Sequence, residues 1–402
     1  MPTMTAGLRV AVVGNTDHSL LRFRLPLLRA LVRRGADVHA VAPPGPSRAA
    51  LEAEGMAFVP CVLSRGSLNP VQELLTVLSL LRIYRRLRPG VAHHFTVKPN
   101  IYGAFAARLA GVPVVVASVT GLGYVYTGDD LLARLLRPLV SLLYRAAFML
   151  SDAVTFQNPD DLDDLARAWA LPTGKGRVVL GGSGVDTAHY DPAAVDPAAI
   201  RALRESLAPR EGTAVVLLVA RMLWHKGIGE FVEAARALRA RGLDAQFVLV
   251  GPEDTGNPAA IPGSTLRQWV EEGAVQYLGE RSDVRELMAA ADVVALPSYR
   301  EGTPRTLLEA AAMGKAMVAS DAPGCREVVD HEATGLLVPP RDAGALAEAI
   351  ERLLLSPDLR LQLGEAARRK AEADFDESVV AARFLDLYDG LLRRKGLATT
   401  GG

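Results

Sequence analysis

Short apolar runs rich in β-branched residues alternate with longer amphipathic stretches along almost the whole chain. The runs are too apolar for a sheet with one wet face. They fit parallel strands buried on both sides, each returned to the next by a helical crossover. The strands expected in the first half are Val10–Val13, Val38–Ala42, Val91–His94, Val114–Ser118 and Ala153–Gln157. Those expected in the second are Ala214–Val219, Gln246–Val250, Val275–Leu278, Val293–Pro297 and Ala316–Ala319. Between the two series, Gly181-Gly182-Ser183-Gly184-Val185-Asp186 and a Pro- and Ala-rich stretch to Pro197 read as a link. A chain of 402 residues is too long for one ordinary core and comfortable for two. The expected fold class is therefore α/β, with two doubly wound, Rossmann-like domains facing a central cleft. Its boundaries are 1–187, 188–376, and 377–402 for a last helix and tail. In such sheets ligands sit at the carboxyl ends of strands, so the loops there hold the candidate residues.

Half of the residues are hydrophobic and 22% are charged, which suits buried sheets and excludes a disordered chain. Cys61 and Cys325 lie far apart without metal-ligand spacing, so buried thiols in a reducing compartment are expected. No basic segment followed by a long apolar run precedes the first strand, so no signal peptide is expected. Net charge is zero but unevenly placed: residues 1–187 carry 20 Lys and Arg against 13 Asp and Glu, the rest 25 against 32. A split of this kind fits one half facing an anionic partner such as a phospholipid surface. No nucleic-acid partner is expected.

Three features of the second half converge on one kind of ligand. Arg221-Met222-Leu223-Trp224-His225-Lys226-Gly227 follows a strand directly and places two cations where a diphosphate could sit; the alternative is a solvated loop. Glu301-Gly302-Thr303-Pro304-Arg305-Thr306-Leu307-Leu308-Glu309 reads as a helix start, with Thr303 as N-cap and Pro304 in the first turn. Its free amides could meet a phosphate or a sugar hydroxyl, and its two carboxylates could address two ends of one ligand. Asp321-Ala322-Pro323-Gly324-Cys325-Arg326-Glu327 and Gly335-Leu336-Leu337-Val338 read as a tight turn, a helix and a strand.

Taken in order and spacing, the Arg-x4-Lys-Gly loop, the Glu-x7-Glu element and the closing Gly-Leu-Leu-Val resemble the family-4 retaining glycosyltransferases, whose fold is GT-B. The resemblance covers nearly the whole chain. It implies that Arg221 and Lys226 hold a donor diphosphate, that Glu301 meets the transferred sugar and that Glu309 binds the ribose hydroxyls. Backbone from Gly302 through Thr303, Pro304 and Arg305 to Thr306, with Leu307, would complete the donor pocket. The final helix, roughly residues 377–393, would cross back to the first domain. The resemblance also implies a UDP-sugar donor, retention of configuration, and cations and a helix start in place of a metal cofactor. Asp161-Leu162-Asp163 matches a metal-binding Asp-x-Asp only formally, because it follows Asn158-Pro159 at a helix start, where acidic residues favour the dipole.

In the first half, Asn15-Thr16-Asp17 and Phe23-Arg24 follow the first strand, His93-His94-Phe95-Thr96-Val97-Lys98-Pro99-Asn100 ends and follows the third, and Thr120-Gly121 follows the fourth. The acceptor or cleft candidates are Asn15, Thr16, Asp17, Arg24, Lys98, Asn100, Thr120 and Gly121. This set is similar to the bacterial branch that extends undecaprenyl-diphosphate-linked sugars, by N-acetylgalactosaminyl transfer to lipid-linked bacillosamine or in capsule and exopolysaccharide assembly. Many members place a histidine where this chain has Thr120-Gly121, so His94, or its neighbour His93, is the candidate for the sugar contact. The alternative is a buried, hydrogen-bonded histidine.

A polyprenyl-diphosphate-linked acceptor requires approach to a membrane. Residues Leu131–Leu150 are apolar apart from Arg134, Arg137 and Arg145, which fall within roughly 80° of one another on a helix. That pattern suits a helix lying in an anionic membrane surface, with Pro138 bending or dividing it. Arg82, Arg85, Arg86 and Arg88 end a second apolar helix. The expected location is cytoplasmic, peripheral at the inner face of the membrane. Two other readings stay open: a transferase with a soluble acceptor, and a catalytically silent sugar-nucleotide-binding subunit. A nicotinamide dehydrogenase is disfavoured, because Gly14-Asn15-Thr16-Asp17 stands where Gly-x-Gly-x-x-Gly belongs.

Overall fold

The structure is a computed structural model that describes residues 7–397 apart from 65, 68, 128–130, 173–175, 209 and 211. The chain divides into two compact units, Met1–Ser183 with Glu377–Gly402, and Gly184–Asp376.

The first unit runs β1 (Arg9–Val13), α1 (Asp17–Arg33), β2 (Asp37–Ala42), α2 (Arg48–Ala53), β3 (Ala57–Pro60), α3 (Pro70–Leu87) and β4 (Val91–Phe95). A π-helical turn, Pro99–Gly103, then leads into α4 (Ala104–Leu109), β5 (Val114–Val119), α5 (Tyr124–Thr127), α6 (Leu131–Leu150), β6 (Ala153–Phe156), α7 (Pro159–Arg167) and β7 (Gly176–Val179). The second unit runs α8 (Pro197–Leu207), β8 (Ala214–Val219), α9 (Ile228–Ala240), β9 (Ala245–Val250), α10 (Gly263–Glu271), β10 (Gln276–Tyr277), α11 (Val284–Ala290) and β11 (Val293–Leu296). It continues with α12 (Arg305–Ala312), β12 (Ala316–Ser320), α13 (Cys325–Val328), β13 (Leu336–Val338), α14 (Ala343–Leu355) and α15 (Pro357–Lys370). The last helix, α16 (Glu377–Arg394), belongs to the first unit.

Both sheets are parallel and Rossmann-like. Their strand orders are β3-β2-β1-β4-β5-β6-β7 and β10-β9-β8-β11-β12-β13. Each order reverses once, between β1 and β4 in the first sheet and between β8 and β11 in the second. Loops leaving adjacent strands diverge there and open a crevice at the carboxyl edge. The strands are predominantly apolar because helices cover both faces. In the first unit α1 and α16 cover one face, with Leu20, Leu28 and Leu31 packed in one core with Phe384, Leu385 and Tyr388. On the other face Tyr84, Ala107, Tyr144 and Phe148 come from α3, α4 and α6.

Helix starts follow a local rule. Asn69, Asn158 and Asp196 each accept a backbone N–H and are each followed by proline, opening α3, α7 and α8. Asp160 and Asp161 occupy the first turn of α7, the placement the helix dipole favours. Pro138 does not divide its helix: α6 runs unbroken through it. The proline lies on the exposed side, where the carbonyl it leaves unpaired can meet water. Both cysteines are free and buried.

Candidate active site

The decisive cluster lies where the second sheet reverses order. The loop after β8 is braced by backbone hydrogen bonds, Met222 N–H to the Pro252 carbonyl and Trp224 N–H to the Ala259 carbonyl. Met222 and Leu223 anchor it in the core. Gly227 ends it with φ 73°, and a Cβ there would collide with the Pro297 carbonyl oxygen at the end of β11. Glycine is thus required both by conformation and by the close approach of two loops. The loop is a built cradle, not a solvated excursion.

From this cradle Lys226 Nζ donates to Glu301 Oε1 at 2.5 Å, and both side chains are largely buried. Glu301 is held in turn by its own N–H on the Pro323 carbonyl. Gly324, at φ 82°, lets that turn sit directly on the Glu301 and Gly302 carbonyls. Arg221 is half-exposed and donates to Asp254 Oδ2 at 2.7 Å, a partner in the loop after β9 that sequence reading missed. Burial, with Lys226 beside it, lowers the His225 pKa.

Helix α12 starts one residue later than expected. Pro304 occupies the cap position and no side chain caps the helix, so Thr303 is not the N-cap. The Thr306 hydroxyl instead donates to the Val219 carbonyl at 2.8 Å, pinning the helix start to the end of β8. Leu307 is fully buried beneath it. Arg305 Nε donates to Glu309 Oε1 at 3.1 Å, one turn along its own helix, and so orients the carboxylate. The structure therefore brings Lys226, on the same loop after β8 as Arg221, against Glu301, which shares the loop after β11 and the first turns of α12 with Gly302, Thr303, Arg305, Thr306 and Glu309. Tyr299, also missed, donates to Glu230 at 2.5 Å and lies under the Arg341 guanidinium. Its position, two residues before Glu301, was the available signal.

Most of the first-half candidates are structural. His94 is fully buried, hydrogen-bonded through Nε2 to the Tyr84 hydroxyl at 2.8 Å, and Gly103 packs on its ring. Burial pushes its pKa down to about 3, so it stays neutral, and its Nδ1 has no hydrogen-bond partner among the described residues. His93 is equally buried, between the Tyr388 hydroxyl and Ser118 Oγ at 2.6 Å, and burial also drives its pKa well down. Lys98 spends its ammonium on the Ser64 and Ser67 carbonyls and on Glu73. Asn100 brackets the Ser118 backbone from a fully buried position. Thr16 caps α1, and Asp17 accepts from the Ser47 N–H at 2.7 Å and so fixes the loop after β2. These polar groups sit at strand ends because buried backbone there needs partners. Asn15, Thr120 and Gly121 stay half-buried at the carboxyl ends of β1 and β5.

Arg24 differs from all of these. Only 7% exposed, it stacks on the Phe95 ring at 4.2 Å, and burial lowers its pKa to about 10. Desolvated stacking of this kind is worth about 2 kcal/mol or somewhat more, against the several that burying a charge costs.

A family model for "Glycosyl transferases group 1" matches residues 199–370, and one for "Glycosyl transferase 4-like" matches residues 9–158. Over 386 residues the chain is 33% identical to the N,N'-diacetylbacillosaminyl-diphospho-undecaprenol alpha-1,3-N-acetylgalactosaminyltransferase of Campylobacter jejuni, covering 96% of this chain and 100% of that one. The chain belongs to the group 1 glycosyltransferases. A second relative of this glycosyltransferase, the UDP-Gal:alpha-D-GlcNAc-diphosphoundecaprenol alpha-1,3-galactosyltransferase of Escherichia coli, is 26% identical over 84% of each chain. Among solved structures, a glycosyltransferase from Rickettsia africae superposes with a TM-score of 0.79 at 20% identity, over 96% of this chain and 99% of that one. The family accounts for the double Rossmann-like architecture.

On α6, the residues Leu131, Leu132, Leu135, Leu139, Leu142 and Met149 are each more than half exposed. At 100° per residue they share an arc of about 100°. Exposed Arg134 borders it, Arg145 stacks on Trp169, and Arg137 turns back to the Val125 carbonyl. Arg82, Arg85, Arg86 and Arg88 are exposed at the end of α3. No helix among the described residues is long and apolar enough to cross a membrane.

Proposed function

We propose that this glycosyltransferase moves a sugar, N-acetylgalactosamine as the best candidate, from a UDP-sugar to an undecaprenyl-diphosphate-linked saccharide at a membrane surface, with retention of configuration. The observation that carries the donor half is the Lys226–Glu301 pair at the reversal point, beside Arg221 and the open start of α12. Departure of a nucleoside diphosphate builds negative charge on its terminal phosphate. Lys226 and Arg221 would neutralise that charge, with the amides at the start of α12 aimed at the same oxygens. Glu301 would face the transferred sugar and Glu309 the ribose diol. This arrangement needs no metal, because the chain supplies the cations.

The acceptor half is supported by what the Campylobacter and Escherichia relatives act on, and by the exposed apolar arc of α6 with arginine at its edge. A face of that kind gains by lying in a bilayer interface next to anionic headgroups.

Release of UDP from a panel of UDP-sugars, with and without an undecaprenyl-diphosphate monosaccharide and in EDTA, tests the whole reading. Release that needs the lipid acceptor and prefers UDP-N-acetylgalactosamine is expected. Equal release with a soluble sugar acceptor would refute the lipid assignment, and failure in EDTA would refute metal independence.

A further inference from the structure

Polar side chains at the carboxyl edge of the first sheet divide into two groups. Thr16, Asp17, Lys98, Asn100 and Ser118 are spent on protein partners. Asn15, Thr96 and Thr120 are half-buried, and among the described residues their side chains make no hydrogen bond. They stand just past the ends of β1, β4 and β5, neighbours in the sheet that include its reversal point. Val13 pairs with His94 and Phe95 with Ser118, so Asn15 and Thr96 lie at one level and Thr120 one residue beyond it. Adjacent strands are about 4.8 Å apart, so the three positions span about 10 Å.

Thr96 is the unusual member. Its φ is 74°, in the left-handed region, where a β-branched side chain crowds its own backbone. The other described non-glycine residues with positive φ, Arg88, Trp169, Glu332 and Arg341, are unbranched at Cβ and exposed. Thr96 alone joins β4 to the helical residues that begin at Val97, and its carbonyl accepts the Asn100 N–H at 3.0 Å. Glycine would adopt this conformation without strain, so threonine is kept there at a cost in stability. A strained residue between strand and helix is how a nucleophile elbow exposes its hydroxyl at the edge of a parallel sheet. The nearby histidines are committed elsewhere, His94 to Tyr84 and His93 to Tyr388 and Ser118. The Thr96 hydroxyl is therefore suited to recognition, not to attack.

All three uncommitted groups are neutral, one amide and two hydroxyls. They match the hydroxyl and acetamido groups of a sugar and lack the charge that a phosphate would call for. We propose that Thr96 is a specificity-determining residue that hydrogen-bonds the acceptor's saccharide, with Asn15 and Thr120 on either side. The donor is assigned to the reversal point of the second sheet, which leaves this one for the other substrate. That division of roles rests on the reading given under Proposed function; the saccharide site does not require the acceptor to carry a lipid.

The test compares the full wild-type chain with Thr96→Gly and Thr96→Ser. Thr96→Gly removes the hydroxyl and the strain together, so its melting temperature should rise by about 2–4 °C. Its acceptor KM should rise at least tenfold at unchanged UDP affinity. The rise should appear with a short-chain polyprenyl-diphosphate N-acetylhexosamine and equally with octyl N-acetyl-α-glucosaminide, which has no phosphate. Thr96→Ser keeps the hydroxyl and should stay within a few-fold of wild type.

A stabilised Thr96→Gly with an unchanged KM would overturn the proposal. So would a Thr96→Gly that is less stable than wild type and loses UDP affinity as well, because the threonine would then serve packing. A KM increase confined to the diphosphate acceptor would put Thr96 on the phosphate and overturn the saccharide claim. Wild-type transfer to the octyl glycoside alone, weakened at least tenfold by Thr96→Gly, would uphold the site while refuting the lipid-linked acceptor. If the wild type transfers to neither, saturation-transfer NMR with the octyl glycoside at saturating UDP reads the same site. Binding that Thr96→Gly abolishes upholds it, and equal or absent binding overturns it.

Discussion

Lys226 and Glu301 reach each other from the two strands between which the second sheet reverses its order, and their 2.5 Å contact joins the loops that leave those strands. A free ammonium on a loop would lose side-chain entropy when a diphosphate arrived. Here the carboxylate has already ordered it. Replacing Lys226 with alanine removes one preorganised cation from the departing diphosphate. A loss of about 3 kcal/mol of transition-state stabilisation corresponds to a turnover reduced at least about a hundredfold. Steady-state UDP release by a variant with wild-type melting behaviour checks this. Near-normal turnover would remove Lys226 from the diphosphate.

Glu301 faces a different prediction. Glu301→Gln keeps the size and one acceptor oxygen but gives up the charge that pairs with Lys226. UDP affinity should stay within a few-fold while transfer falls sharply, because the carboxylate is assigned to the sugar. Equilibrium binding of UDP beside single-turnover transfer separates the two. Lost UDP affinity with normal transfer would exchange the assigned roles.

The sequence carried the two sheets well, because fully buried parallel strands are apolar without interruption. The sequence reading did not find strands β3 and β7: each is a four-residue edge strand, β3 ending in a proline and β7 carrying a glycine and an arginine. The residues proposed for the donor stand in two short segments, Arg221 with Lys226 and Glu301 with Glu309, and spacing shows the members of each segment close together; that Lys226 meets Glu301 across 75 residues is shown by the fold. The acceptor candidates were not legible in this way. His94, Lys98, Asn100 and Asp17 also lie at carboxyl ends of strands, but their partners Tyr84, Ser64, Ser118 and Ser47 are 10 to 34 residues away. Sequence order cannot show that a polar side chain at a strand end has been spent on buried backbone.

Two glycine-to-alanine changes should move stability in opposite directions. Gly227 needs φ 73° and sits against the Pro297 carbonyl oxygen, so Gly227→Ala must shift either the donor loop or the end of β11. A cost of about 1–3 kcal/mol and a large loss of activity are expected. Gly390 lies inside α16 with open space around its Cα. Gly390→Ala should stabilise by about 0.5–1 kcal/mol through helix propensity, with activity unchanged. Denaturant melts of both variants decide the matter. A neutral Gly227→Ala would mean that the loops are not held as tightly as the contact indicates.

Acid should unfold the first unit before the carboxylates that stabilise the chain are titrated. His93 and His94 are fully buried and neutral, with pKa values pushed below the ordinary 6.5 by burial, that of His94 to about 3. Below pH 6.5 the unfolded chain takes up these protons and the folded chain does not, so stability falls as pH falls. The loss begins near pH 6.5 and for His94 continues to about 3. Each fully buried histidine contributes about 2 kcal/mol of that loss by pH 5. Calorimetric melts between pH 7.5 and 5 should therefore show the transition containing α1, α16 and the first sheet moving down. A His94→Gln variant that stays folded keeps a hydrogen-bonding side chain beside Tyr84 but has nothing to protonate, so its stability should depend less steeply on pH. An identical slope in wild type and variant would mean that His94 gains solvent and titrates normally in the folded chain.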